Sequence, residues 1–296
     1  MLLCNNIVRT DAPAGYRPLY PKLFTEVKPS GSLSSKKVFI FDMDGTIYLG
    51  SAVFEKAVRF IKRLRSDGRK VVFFTNNSSH SGEFYLKKLD LMGFSPDRDE
   101  IMTSGDVTID FLKKNREGRR VYLLGNSELR SDFEKAGIDL SCTDPSEADI
   151  VVSAFDTELD YGRLTFACRA IDLGAEFLST HPDFRCPTED GFIPDSGAIC
   201  AAITAATGAR PVFFGKPYEQ TVLFIGERTG AERGDICIFG DRLYTDIAFG
   251  KKHGITSVLV MTGETTEDDL KNVGDAQKPD IVFEDMGRAE EDVFVD

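Results

Sequence analysis

The feature that most constrains this chain is a recurrence of short apolar runs, each closed by a polar turn and followed by an amphipathic segment. Val38–Phe41 is the first run. After it Phe54, Ala57, Val58, Ile61 and Leu64 recur at helical spacing, and Gly68 is placed to end that helix. A second run covers residues 71–74. A helix is then expected over 84–92, with Ser81 as its cap and Gly93 as its stop. Further strands are expected at Val121–Leu124, 150–152, 212–214, 236–239, 257–260 and Ile281–Phe283. Strands and helices alternating in this way predict an α/β fold with a parallel sheet covered on both faces. No run approaches the roughly 18 apolar residues of a membrane span.

With 296 residues the chain is long for one core, and two domains are expected. Residues 1–36 hold Pro13, Pro18, Pro21 and Pro29 and read as an arm, on which Tyr16, Tyr20 and Phe24 could make contacts. Residues 118–208 carry 16 acidic and 7 basic side chains, most of the net charge of −12, and lack the motifs described below. They read as an inserted α/β cap domain, with the core built from 37–117 and 209–296. The acidic balance argues against non-specific nucleic-acid binding, which needs a basic surface. Six scattered cysteines without a CxxC pair predict reduced thiols in a cytoplasmic protein, without a zinc site or a disulfide frame. The apolar patch at the start is interrupted by Asn5 and Asn6 and has no basic region before it, so no secretory signal is expected.

Four polar clusters follow directly after strands. Asp42 and Asp44 come first, ahead of Gly45. If Asp42 ends its strand and the chain turns at Gly45, both carboxylates face the crevice where open α/β sheets bind ligands. Carboxylates clustered there repel one another unless a cation is bound, and hard oxygen donors suit Mg²⁺. Asp and Gly equally fit a plain turn. Next are Thr75, Asn76 and Asn77, whose hydroxyl and backbone N–H groups can hold phosphate oxygens, or simply cap a helix. Lys216, between Gly215 and Pro217, can neutralise a phosphate and a carboxylate together. Finally Asp241 is placed to join Asp42 at a metal, and Asp246, five residues on, to support it. Each cluster alone says little. All four, in order and each after a strand, supply a nucleophile, a metal site, a hydroxyl donor and a cation.

The conjunction resembles the haloacid-dehalogenase superfamily, and more closely its subfamily IIA, the NagD-like or 4-nitrophenylphosphatase branch. FDMDGTIYLG, FFTNNSS, STHPDFRCPTEDGFIPDSGAI, FGKPYEQ and GDRLYTDI carry the resemblance, which extends over roughly residues 37–285. It implies a Rossmann-like core with a large inserted α/β cap, and a Mg²⁺-dependent phosphatase acting on a small phosphorylated metabolite. By the resemblance Asp42 is the nucleophile that forms an aspartyl-phosphate, and Asp44 is the acid and then the base. The metal falls to Asp42, the backbone carbonyl of Asp44, and Asp241, with Asp246 orienting that shell. Thr75, Asn76 and Lys216 position the phosphate.

A dehalogenase would not need Asp44 or the metal set. A phosphonate-cleaving relative needs a cap lysine, and residues 118–208 offer only Lys135. A non-catalytic phosphate-binding regulatory protein is the other alternative, and release of phosphate from an aryl phosphate separates the two. Sugar phosphates, nucleotides, glycerol phosphate and pyridoxal phosphate all suit the branch, and no residue selects among them. A homo-oligomer is compatible with the sequence; nucleic acid and membrane are not expected partners. Specificity is expected from the cap loop after 177–178, where His181, Asp183 and Phe184 surround Pro182 and would touch the leaving group; the alternative is a structural turn packed inside the cap. His181 departs from the branch, many of whose members have Asn before the Pro-Asp pair.

Overall fold

The computed structural model describes residues 32–188 and 191–294. Of the expected arm, residues 1–31, with Tyr16, Tyr20 and Phe24, lie outside the described residues. The described part packs inward: Leu33 is buried, and Lys36 Nζ donates to the Gly234 carbonyl at 2.7 Å.

Six strands form one parallel sheet, in the order Ile281–Phe283, Thr256–Val260, Ile236–Gly240, Val38–Phe41, Lys70–Thr75 and Ile101–Thr103. Every residue of Val38–Phe41, Ile236–Gly240 and Thr256–Val260 is buried. Strands covered on both faces cannot alternate in polarity, which is why the sequence shows continuous apolar runs there. Phe39 and Phe41 face one layer, where Phe41 stacks 5.1 Å from Phe239 and meets Phe60 edge-on at 6.0 Å. Val38 and Ile40 face the other, with Phe74, Phe214 and Phe249. Helix Glu55–Ser66 lays Ala57, Val58, Phe60, Ile61 and Leu64 on the first layer, and Gly68 follows with a left-handed φ of 78°. Helix Gly82–Leu91 begins on Ser81, whose hydroxyl accepts from the Phe84 N–H.

A second parallel sheet has the order Val212–Phe213, Glu176–Ser179, Ile150–Ser153 and Val121–Leu124. One expectation needs correcting here. The run at 212–214, assigned to the second core segment beginning at 209, pairs with the inserted sheet instead, Val212 beside Leu178 and Phe213 beside Ser179. Both residues are half-buried, as an edge strand allows. The chain re-enters the core at Phe214, which is fully buried with its ring 4.7 Å from Phe111. An antiparallel hairpin, Arg185–Thr188 with Gly191–Pro194, projects from the inserted domain.

The loop after Lys70–Thr75 ties the two sheets together. The Ser78 hydroxyl lies 3.0 Å from that of Thr180 and accepts from the Phe155 N–H, while Asn126 Nδ2 donates to the Ser79 carbonyl. No helix among the described residues is long and apolar enough to cross a membrane.

Candidate active site

Strand register decides which side chains meet. Phe41 is level with Phe239 on one side and Phe73 on the other. Asp42, Asp241 and Thr75 therefore leave three adjacent parallel strands at the same edge. The Asp42 N–H still donates to the Phe239 carbonyl at 2.9 Å, so the ladder itself fixes the start of its side chain. Asp42, Asp44, Thr75, Asn76, Asp183 and Lys216 line one crevice between the two sheets.

Lys216 is buried at the centre of the charge cluster. Its Nζ lies 2.5 Å from Asp42 Oδ1 and 2.7 Å from Asp246 Oδ1. Burial alone would lower the ammonium's pKa, but Asp246 and Asp42 outweigh it and hold the group well above its ordinary value. Asp246 is carried on a single π-helical turn, Leu243–Ile247, a form that recurs at functional sites. Oxygens of Asp42, Asp241 and Asp246 all lie within 4.8 Å of one another. Burial, with the neighbouring carboxylates adding to it, pushes Asp241 up to about 7. Burial likewise pushes Asp246 up to about 6 against the pull of Lys216. Three carboxylates with one ammonium leave excess negative charge in a buried place. An oxygen-only donor set with this surplus fits a hard divalent cation.

Glycines make the cluster possible. A Cβ on Gly263 would sit 2.0 Å from Asp241 Oδ2, one on Gly240 2.2 Å from Asp246 Cβ, and one on Gly45 2.5 Å from Asp241 Oδ2. Gly45 also has a left-handed φ of 84°, needed for the turn after Asp44. Gly263→Ala is therefore expected to force Asp241 out of the cluster. Thermal melting should show a loss of about 1–3 kcal/mol, and any response of the protein to divalent cations should weaken with it. An unchanged response would mean that Asp241 does not have to stay where it is.

Asp44 stands apart from the three clustered carboxylates. Its Oδ2 accepts from the Tyr48 hydroxyl at 3.2 Å. Burial pushes its pKa up, Lys88 works against that, and Asp42 adds to it. Thr75 Oγ1 accepts from the Asn77 N–H at 3.1 Å. The Asn76 side chain is engaged within the protein. Its Oδ1 accepts from the Lys216 N–H at 2.7 Å, and its Nδ2 donates to the Lys216 carbonyl and to Asp183 Oδ2.

The three cap residues singled out in the sequence separate. Asp183 reaches the crevice. His181 is fully buried beneath it, Nδ1 3.5 Å from Asp183 and Nε2 3.3 Å from Asp195, at ion-pair distances without hydrogen-bond alignment. Burial alone would lower its pKa, but Asp195 and Asp183 together hold it above the ordinary histidine value. A buried ring cannot lie against a leaving group, so its reach toward the crevice runs through the two aspartates. Phe184 is 44 % exposed and is not among the residues lining the crevice.

Arg185, Cys186, Asp195 and Arg242 line the crevice without having been singled out. Arg242 follows Asp241 directly, the one sequence signal available for it. Glu264 had no such signal. Its backbone N–H donates to Asp241 Oδ2 at 2.6 Å, and its carboxylate lies 3.1 Å from Arg242 Nε and 3.5 Å from Arg185 Nη2.

The sequence matches the family model described as haloacid dehalogenase-like hydrolase over residues 39–139, and the HAD-hydrolase-like model over residues 213–289. An acid sugar phosphatase of Staphylococcus aureus (strain MRSA252) is 32% identical over 253 residues, 86% of this chain and 96% of that protein. The crystal structure of a 4-nitrophenylphosphatase from Thermotoga maritima is 40% identical, with a TM-score of 0.83 over 88% of this chain and 99% of that one. NagD from E. coli K-12 is 26% identical, with a TM-score of 0.78 over 86% of this chain and 98% of that one.

Proposed function

The chain belongs to the haloacid dehalogenase-like hydrolases, in their NagD-like, 4-nitrophenylphosphatase branch, and as a phosphoric monoester hydrolase of that family we propose that it acts through an aspartyl-phosphate on Asp42 with Mg²⁺ as its cation. The observation that carries this reading is the division of labour between two carboxylates two residues apart. Asp42 is ion-paired to Lys216 and faces the crevice. Asp44 has its proton affinity raised by burial, the direction a proton donor needs.

In the first step Asp42 attacks phosphorus in line, and the bond from phosphorus to the leaving oxygen breaks. Asp44 delivers its proton to that oxygen. In the second, water attacks phosphorus, Asp44 takes the water's proton, and the bond to Asp42 breaks to release inorganic phosphate. Thr75 and Lys216 hold the non-bridging oxygens throughout. Asn76 acts at one remove, since its amide fixes the Lys216 backbone and joins it to the cap through Asp183. Asp42, Asp241 and the Asp44 carbonyl would hold Mg²⁺, with Asp246 steadying the set through Lys216. When bound, the ion neutralises charge between the nucleophile and the phosphoryl group. Asp183 is the cap residue placed to read the leaving group. Its Oδ1 is buried without a hydrogen-bond partner among the described residues, an acceptor for a substrate hydroxyl. Small phosphorylated metabolites, sugar phosphates among them, carry the phosphate and hydroxyl groups that these side chains would hold.

The purified chain is expected to release phosphate from 4-nitrophenyl phosphate. EDTA should abolish the release, Mg²⁺ should restore it, and Ca²⁺ should not restore it fully, because its longer bonds and higher coordination disturb the in-line geometry. Turnover that survives exhaustive chelation would rule out the metal. Tight phosphate binding without turnover would point to a regulatory protein.

A further inference from the structure

Tyr48 lies six residues beyond the nucleophile and within the quoted motif, yet neither the phosphate nor the metal reading uses it. The turn after Asp44 returns it to that residue. Gly45, at positive φ, donates its N–H to the Tyr48 carbonyl at 2.7 Å, and Thr46 and Ile47 close on the Met43 carbonyl. The backbones of Asp44 and Tyr48 pair as an isolated bridge. The Tyr48 side chain is fully buried, and its hydroxyl donates to Asp44 Oδ2 at 3.2 Å. Helix Gly82–Leu91 holds the ring from the other side, with Lys88 Nζ 4.0 Å from the ring centroid.

The buried hydroxyl is therefore a donor aimed at one oxygen of the carboxyl that passes the proton in each half-reaction. The donated hydrogen bond does two things. It fixes the Asp44 rotamer and occupies Oδ2, which leaves Oδ1 to exchange the proton with the leaving group and then with water. It also stabilises the carboxylate that remains once the proton has gone, so it is worth more after proton delivery than before it.

We propose that Tyr48 is the positioning residue for proton delivery by Asp44, setting how far the enzyme can drive out poor leaving groups. This rests on the reading of Asp44 as the general acid. Nitrophenolate leaves with little help, whereas an alkoxide needs its proton in the transition state. Removing the Tyr48 hydroxyl therefore acts unequally on the two kinds of ester.

The test is kcat/KM, which reports the step in which the leaving group departs, for glycerol 3-phosphate and for 4-nitrophenyl phosphate, in wild type and Tyr48→Phe. The variant keeps the buried ring. The ratio of the two values is taken within one preparation, so a reduced folded fraction cancels from it. The alkyl-to-aryl ratio is expected to fall about tenfold in the variant, the size of effect that a lost hydrogen bond to a charged group has. A ratio unchanged within twofold, whatever the absolute loss, would return Tyr48 to a packing role and overturn the inference while leaving the phosphatase reading intact. If wild type hydrolyses neither ester, the phosphatase reading falls and this inference falls with it.

Discussion

The Asp42→Asn chain is expected to fold, to melt close to the wild-type temperature and to hydrolyse no phosphate monoester at a measurable rate. The amide keeps the shape of the carboxyl, and the backbone that carries it is fixed by the sheet, through the bond to the Phe239 carbonyl. Lys216 loses one of two counter-charges but keeps Asp246 at 2.7 Å, so it is not left buried and unpaired. The substitution also removes one of three carboxylates whose oxygens crowd within 4.8 Å. These two changes act in opposite directions on stability, and their sum should be within about 1 kcal/mol, as for other substitutions that neither open a cavity nor orphan a charge. Activity is different. The amide is not a nucleophile toward phosphorus, and its loss should cost more than about 10³-fold in kcat, because removing a nucleophile leaves only what binding and electrostatics supply. Burst kinetics and phosphate release on the folded variant decide the matter. Wild-type turnover by a preparation free of wild-type enzyme would eliminate the covalent mechanism.

How much of this could be read in advance follows from the range of the forces involved. The long apolar runs announced the central strands because burial on both faces leaves no room for polar residues. Asp42, Thr75 and Asp241 were legible as a set because parallel strands in register must end at the same edge. Ile101–Thr103 was not, since only Ile101 and Met102 are apolar and Thr103 at once caps the following helix. The hairpin at Arg185–Thr188 was hidden by Pro187, which reads as a breaker and is tolerated where the ladder has an open edge. The 212–214 run was recognised as a strand and assigned to the wrong sheet, because pairing partners 34 residues apart leave no local trace. Side-chain partners were hidden for the same reason. Nothing beside His181 in the chain says that Asp195 closes over it, and nothing beside Asn76 says that its amide is used up by Lys216 and Asp183. The glycines were the missed opportunity. Gly45, Gly240 and Gly263 are where they are because a carboxylate occupies the space of a Cβ.

The acid cluster also makes its cation detectable without any assay of activity. In the metal-free protein Asp241 is raised to about 7 and Asp246 to about 6, burial being the first cause of both. An unfolded aspartate titrates near about 4. Between those limits the folded state binds more protons than the unfolded one, so the pair's contribution to stability is fully present below about pH 4 and is lost as pH rises through 6 and 7. A divalent cation held by Asp241 needs that carboxyl deprotonated. At pH 5 it must displace the Asp241 proton, and its apparent affinity should fall by about tenfold per pH unit in that range. At pH 8 there is nothing to displace, and the cation relieves the repulsion that weakens the metal-free fold. The expected result is a rise in melting temperature on adding Mg²⁺ that is small at pH 5 and about 5 °C at pH 8, when the ion is present at about 100 times its Kd. Asp195, pushed up to about 6 mainly by burial, titrates in the same range, so the shift is read as the difference with and without the ion at each pH. His253 is pushed down to about 3 by burial and hydrogen-bonds the Pro217 carbonyl, away from the cluster. Lys216 stays charged throughout, so it does not change places with the cation. A shift equally large at pH 5, or no shift at either pH, would show that Asp241 does not hold the ion.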